Sequence, residues 1–405
     1  MVVIDEPLLE SKSDRREFLI FVLKRLLRAV VVIWGVVTIV FILFRVLPGN
    51  VALILAGKFP TPDFIAAINR KWGLDKPLFI NIPWLLGYHQ SSDIIIPFLG
   101  KNLYLGKLID ISSVVENPSI LFDTQYVIFL SKLIFEFDLG ISYIYSTPVV
   151  YELGARFPAT IELTLVSMLL ATIIGVPIGI ISAYKQHTRI DYITMTVALV
   201  GVSMPVYWLG LMLQDIFSKN LSWFIATGRI DPVLSAQLVK YTDFYLVDSF
   251  IAGVMQGRWE FFISTTQQLV LPSLALATIP LAVIARMTRS SVLEELQKDY
   301  VRTARSKGLN ERLVILKHVT KNAMIPTITV IGLNFGALLA GAVLTETIFS
   351  WPGVGKFVWD SITKRDSPVI MGFVMIVALI FVAANMITDI IYAYLDPRVR
   401  YYKKE

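Results

Sequence analysis

The sequence predicts an all-α membrane protein with six transmembrane helices, both termini cytoplasmic, and an enlarged extracellular insertion between helices 1 and 2. Three observations carry that prediction. The 405 residues are 55% hydrophobic and only 17% charged, with a mean hydropathy of +0.66; soluble domains carry about 25% charged residues. Six stretches are long and apolar enough to cross a bilayer. Basic residues crowd the segments on one side of those stretches.

A spanning helix needs roughly 20 mostly apolar residues. The six stretches are 26–47, 159–184, 192–217, 267–288, 326–348 and 369–395. The first reads LLRAVVVIWGVVTIVFILFRVL, with Lys24, Arg25 and Arg28 at its start and Arg45 near its end. Long basic side chains there can snorkel to the headgroups. A polar segment lies upstream, the apolar run is too long for a signal peptide, and no small-x-small cleavage site follows. The expectation is a retained anchor behind a cytoplasmic tail, 1–25.

Orientation follows from Lys and Arg. With the N-terminus inside, segments 1–28, 185–191, 286–325 and 397–405 hold 21 basic residues in 84 positions. The outside segments 50–157, 219–266 and 350–368 hold 15 in 175. That asymmetry obeys the positive-inside rule. The chain then divides into the tail 1–25, the first span, an extracellular cap 48–157, a five-helix core 158–396 with a cytoplasmic loop 286–325, and a cytoplasmic tail 397–405.

Glycine and proline interrupt several spans: Gly175, Pro177 and Gly179 in the second, Pro205 in the third, Pro272 and Pro280 in the fourth. Neighbouring helices or a water-lined path must supply the backbone partners these residues free. Small residues at Gly332, Gly336, Ala340 and Gly341 of the fifth span permit close helix packing. Polar residues at membrane depth are costly and point to function by default. They are Glu162, Ser203, Asn334, Asn385 and Asp389. Glu162 and Asp389 lie near span ends, where a headgroup or a basic partner also accounts for them. Ser203, Asn334 and Asn385 are candidates for lining a translocation path, against a competing role in polar packing between helices.

The cap 48–157 is too long for a simple connector. It contains several prolines and apolar runs such as IIIPFLG and YVIFLSKLIFEF, and is expected to fold with some amphipathic helix. The cytoplasmic loop 286–325 is the most basic segment. At helical spacing Tyr300, Ala304 and Leu309 share one side, while Arg302, Arg305 and Lys307 present charge. Gly308 suits the end of that helix. A second amphipathic stretch follows, with Leu313, Leu316 and Val319. Such a segment fits anionic lipid or a groove on a partner protein equally well.

Other chemistries find no support. There is no cysteine, hence no disulfide framework, thiolate metal site or cysteine nucleophile. His89, His187 and His318 form no HExxH spacing. Neither a phosphate-binding GxxxxGK[ST] nor GxSxG occurs; WPGVGK at 351–356 lacks the spacing. No catalytic residue, metal site or resident cofactor is therefore expected. The net charge of +6 admits a nucleic-acid partner in principle, but the apolar excess assigns it to a membrane.

Taken in order, blocks such as WGLDKPL (72–78), RFPATIELTL (156–165) and DYVRTARSKGL (299–309) resemble the membrane permease subunit of ABC importers of the dipeptide/oligopeptide type. The resemblance begins with LKRLLRAVVVIWGVVTIVFILFRVLPGN (23–50) and WGLDKPL (72–78). It resumes at DLGIS (138–142), RFPATIELTL (156–165), SMPVYWLG (203–210), TDFYLVDSFIAG (242–253) and LVLPSLALA (269–277). Its strongest block is DYVRTARSKGL (299–309) with KHVTKNAMIP (317–326). GAVLTETIFSWPGVG (341–355), RDSP (365–368) and DIIYAYLDPRVR (389–400) complete it.

The resemblance implies a multi-pass protein of the cell membrane working with a second homologous permease, two ATP-binding subunits that hold ATP and Mg, and an extracellular solute-binding protein. The block 299–309 is similar to the "EAA" loop that docks on the ATPase. Asp299, Tyr300, Arg302, Thr303, Ala304, Arg305, Lys307 and Gly308 are its matching positions. Only Ala304 of the Arg302-Thr303-Ala304 triplet keeps a letter of the general motif, as in peptide-type members. Roughly 79–124 is extra relative to the family and is expected to meet the binding protein or cover the outer mouth. Deleting 85–120 without altering uptake or binding-protein affinity would sink that expectation. Cargo stays open among peptides, oligosaccharides and solutes such as nickel. An ATP-independent channel or secondary transporter predicts paired ionisable residues at the midplane, and the spans offer few. An intramembrane enzyme needs a dyad inside the spans, and none is visible.

Overall fold

The computed structural model describes residues 12–46, 61–71, 76, 79–84, 93–98, 101–110 and 122–395. The expected tail 397–405, and residues 1–11 of the expected N-terminal tail, lie outside the described residues. The chain falls into two units, one of residues 1–34, 153–363 and 376–405, the other of 35–152 and 364–375.

Among the described residues, five helices are long and apolar enough to cross a membrane: Phe18–Phe44, Val149–Tyr184, Glu260–Leu296, Glu311–Leu339 and Ser367–Ile390. A bent pair, Arg189–Ser203 and Val206–Asn220, makes a sixth if counted as one span. Each overlaps one of the six apolar stretches, so the protein is a multi-pass membrane protein. We label α1 Lys12–Val46, α2 Pro62–Lys71, α3 Gln125–Ser131, α4 Val149–Tyr184, α5 Arg189–Ser203 and α6 Val206–Leu213. The rest are α7 Tyr245–Gln256, α8 Glu260–Leu296, α9 Asp299–Ser306, α10 Thr320–Gly341, α11 Val343–Ile348, α12 Val354–Thr363 and α13 Ser367–Leu395.

Two spans differ from the expectation. The stretch 192–217 does not run straight, because α5 and α6 meet at 100°. Pro205 disfavours helical backbone in the residue before it, and Met204 is extended, with φ −82° and ψ 130°. The stretch 326–348 also divides: α10 ends at Gly341, and Val343–Ile348 form the separate helix α11.

In the first unit, α4 and α8 form the core. Ala159, Leu163, Met168 and Ala171 of α4 are buried with Leu269, Leu276, Ala277 and Ile284 of α8, beneath Trp351. The two helices touch almost backbone to backbone. A Cβ on Gly175 would stand 2.9 Å from the Leu281 carbonyl oxygen, and one on Gly179 would stand 2.6 Å from that of Ala285. α10 and α13 use the same device, with Gly332 against Thr388 and Gly336 against Ala384. These are the small-residue contacts expected between helices in lipid.

The second unit gathers aromatic rings. Phe41 of α1 is fully buried, with the rings of Phe79, Tyr126 and Phe129 centred 5.7, 5.2 and 5.3 Å away. Asp366 accepts hydrogen bonds from the Ser142 hydroxyl at 2.5 Å and the Tyr143 N–H at 3.1 Å. Within the cap expected to carry some amphipathic helix, three strands form a mixed sheet in the order β1-β3-β2, so the described residues are not all-α. They are β1 Ile80–Trp84, β2 Asp93–Phe98 and β3 Lys101–Asp110. β1 runs parallel and β2 antiparallel to β3. Pro83 and Pro97 both fall on edge strands, where a missing N–H is tolerated.

Candidate functional site

The block singled out by the sequence folds as a short helix held at the end of a long one. α8 ends at Leu296, and Lys298 turns extended, with ψ 150°, to start α9. α9 buries Val301 completely and Ala304 almost so. These positions, three apart, form one helical face. They pack on Ala183 of α4, Val292 of α8, Val314, Val319 and Ala323, with Tyr300 and Leu309 alongside. The ends of two long spans thus share one buried cluster with α9.

Polar contacts fix its ends. The Tyr300 hydroxyl donates to Glu295 at 2.5 Å and accepts from the Asn322 amide at 3.1 Å. Burial, with help from the Glu295 carboxylate, pushes the Tyr300 phenol up to about 12. Lys298 pairs with Glu295. Arg305 forks onto Glu311, at 3.1 Å through Nε and 2.6 Å through Nη2. Gly308 takes a left-handed φ of +76°, the conformation that favours glycine past a helix end.

The opposite face of α9 is open. Asp299 is 97% exposed and Arg302 74%, paired only at 3.6 Å. Thr303, Lys307 and Gly308 are exposed as well. The structure therefore brings all eight predicted residues onto one element and its C-terminal turn, with Tyr300 and Ala304 facing inward and the rest outward. One detail of the expectation fails. Leu313 and Leu316 are exposed, while Val314, Ile315 and Val319 are buried. The reason is that 314–319 form a π-helical turn, whose wider period rotates the apolar face away from the α-helical register.

The three path candidates lie on different helices. Ser203, exposed at the end of α5, donates to the Leu199 carbonyl at 2.9 Å. Asn334 on α10 donates to Val330 of its own helix at 2.8 Å. Asn385 on α13 keeps a buried Oδ1 that no partner satisfies. No hydrogen bond among the described residues joins the three. Asp389 does find the basic partner expected near a span end, Arg25 of α1.

Two buried carboxylates at the opposite end of α4 were overlooked or left without a partner. Glu346 is fully buried. It accepts from the Thr160 hydroxyl at 2.6 Å and the Lys356 N–H at 3.0 Å, and also from the Gly355 N–H. A Cβ on Gly353 would collide with its carboxylate. The Trp351 indole donates to the Ala159 carbonyl at 2.8 Å, and the Val354 N–H to Thr160 Oγ1 at 2.9 Å. Glu162 accepts from Arg229 at 2.6 Å and the Leu246 N–H at 2.5 Å. The Arg229 guanidinium lies 4.0 Å from the Tyr245 ring centre. An acid inside the stretch 326–348 was the available signal for Glu346; nothing local to Glu162 names a partner 67 positions away. Among the described residues no group of three or more His, Asp or Glu could hold a metal ion.

Residues 175–401 match the family described as "Binding-protein-dependent transport system inner membrane component". Residues 18–100 match the family described as its N-terminal membrane component. The chain is 39% identical over 383 residues to a dipeptide transport system permease protein of Alkalihalophilus pseudofirmus, covering 95% of this chain and 100% of the relative. It is 36% identical to the dipeptide transport system permease protein of Escherichia coli K12, over 95% of this chain and 99% of the relative. It is also 33% identical to a glutathione transport system permease protein of Escherichia coli O6:H1, over 94% and 99%. An inward-facing MetNI methionine ABC transporter chain aligns with 59% of this chain and 96% of its own at 13% identity and a TM-score of 0.42.

Proposed function

This chain belongs to the family of binding-protein-dependent transport system inner membrane components, and from that premise we propose that it is the peptide-path subunit of an ATP-driven importer. It is a transport subunit and not the one that hydrolyses ATP. In this reading it sits in the cytoplasmic membrane with both termini and α9 on the inner side and the 48–157 cap outside. A second, homologous permease completes the path. Two ATP-binding subunits dock below, and a solute-binding protein delivers cargo from outside.

The observation that carries the peptide cargo is the full-length 39% identity to a dipeptide permease. The geometry supports the docking role of α9. Its apolar face is spent on Ala183, Val292 and Val319, so its charged face is free for a partner. A cleft that grips Arg302, Thr303 and Lys307 would move the ends of α4 and α8 with it. Nucleotide binding by the partner can then bias the bundle only through its preference for one position of this helix. Ser203, Asn334 and Asn385 remain proposed path residues.

Two measurements test this. Purifying the complex should yield two ATPase chains, and its binding protein should bind short peptides. Saturation by oligosaccharides alone would overturn the cargo. Gly308→Glu places a bulky acid at a left-handed position on the docking face. It should release the ATPase on purification while the membrane bundle keeps its helical content. Wild-type uptake in that variant would overturn the docking assignment.

A further inference from the structure

Behind α9, one buried carboxylate ties three spans together. Asp191 opens α5 and is 3% exposed. It accepts two parallel hydrogen bonds from Arg289 of α8, Nε and Nη2 each at 2.8 Å. It also accepts from the Ser182 hydroxyl of α4 and from the His187 N–H at 3.1 Å. A bidentate guanidinium–carboxylate pair fixes orientation as well as distance. Ser182 is next to Ala183, and Arg289 lies one turn before Val292; Ala183 and Val292 are the residues on which α9 rests. Between them, Gly179 brings α4 within 2.6 Å of the Ala285 backbone, taking a Cβ at that site as the measure.

α9 shares a buried cluster with the ends of α4 and α8, and beside that cluster the Asp191 node fixes α5, which packs along α8, to both of them. α5 is the span that ends in the 100° bend before α6. We propose that Asp191 is a positioning residue for transport: its ion pair with Arg289 makes α5 follow α4 and α8 when α9 is displaced, so that movement at the docking helix reaches the bend at 203–206. This rests on the ATPase-docking role given to α9 above. In the Asp191→Asn variant, side-chain size and the acceptor oxygen for Ser182 remain, while the charge that holds Arg289 is lost. In Arg289→Lys the charge remains and the fork is lost.

The test uses the intact complex, permease pair, ATPases and binding protein, in proteoliposomes, with a short peptide as cargo. The quantity read is cargo transported per ATP hydrolysed. In Asp191→Asn the ATPase rate should stay within twofold of wild type while cargo per ATP falls at least tenfold; Arg289→Lys should lie between. An unchanged ratio in both variants overturns the proposal. So does a drop in uptake and ATPase together, in proportion to complex lost on purification, since a merely structural role predicts that pattern. If Asp191→Asn does not assemble, Arg289→Lys decides alone by the same ratio. Failure of the wild-type chain to co-purify with any ATPase would instead overturn the docking role itself.

Discussion

α4 is built differently at its two ends. Near Ala159 two acids are internal and well partnered: Glu346 by a hydroxyl and two backbone N–H groups, Glu162 by Arg229 and the Leu246 N–H. Near Ala183 a buried acid, Asp191, ties the long spans together, while the neighbouring helix α9 rests on them by apolar packing and a tyrosine and presents Asp299 and Arg302 outward. Hydrogen bonds inside a low-dielectric site lose heavily when one member is removed, whereas apolar contact tolerates small displacement and exposed ion pairs contribute little. The first end is made to keep one arrangement. The second leaves the charged face of α9 open.

The comparison breaks most visibly at Glu346. Truncation to alanine strands the Thr160 hydroxyl and the Gly355 and Lys356 N–H groups. At 1–3 kcal/mol for each buried group left unpaired, the expected loss is about 3 kcal/mol or more. Thermal unfolding of the solubilised chain should show it, and an unchanged midpoint would mean that the clamp is not what holds the 351–356 turn on α4.

Tyr300 sharpens the contrast at the other end. Tyr300→Phe removes two hydrogen bonds but keeps the packing, for an expected cost of about 1–2 kcal/mol. Its pH signature is specific. The folded-state phenol lies above its ordinary value of 10.0, at about 12. Its stabilisation is therefore complete below pH 10 and is lost as pH rises through the window from 10 to about 12. Wild-type melting temperature should fall more steeply across that window than that of Tyr300→Phe; parallel slopes would show that Tyr300 is not the titrating group.

Arg302→Ala should be the mildest for stability, within about 0.5 kcal/mol, because its pair with Asp299 is solvent-exposed. Transport should nevertheless drop if the outward face of α9 is the docking face. A variant that melts like wild type and transports like wild type would remove Arg302 from that face.

Most of the architecture was legible because it is written in composition. Spans announce themselves by length, and Gly332, Gly336, Gly175 and Gly179 mark close packing by the absence of side chains. The helix α9 was legible because Tyr300, Ala304 and Leu309 fall on one side against Arg302, Arg305 and Lys307, although Val301, its most deeply buried residue, was not singled out. What escaped was of three physical kinds. Long-range pairing, as of Glu162 with Arg229, leaves no trace near either residue. The π turn at 314–319 shifts a periodicity that a 3.6-residue reading assumes constant. The sheet at 80–110 is built from short apolar runs whose length and pattern do not tell strand from helix.

The bend at Pro205 carries a consequence for the surrounding lipid. At about 1.5 Å per residue, the 15 residues of α5 reach only about 22 Å, against a hydrocarbon thickness of about 30 Å. Turned through 100°, α6 and its continuation add little of the missing depth. Pro205 has no N–H to give to the Gly201 carbonyl, and such a group needs a partner in oil. A span broken there needs a neighbouring helix, a thinner bilayer or a water-filled path to complete its passage, which a straight span does not.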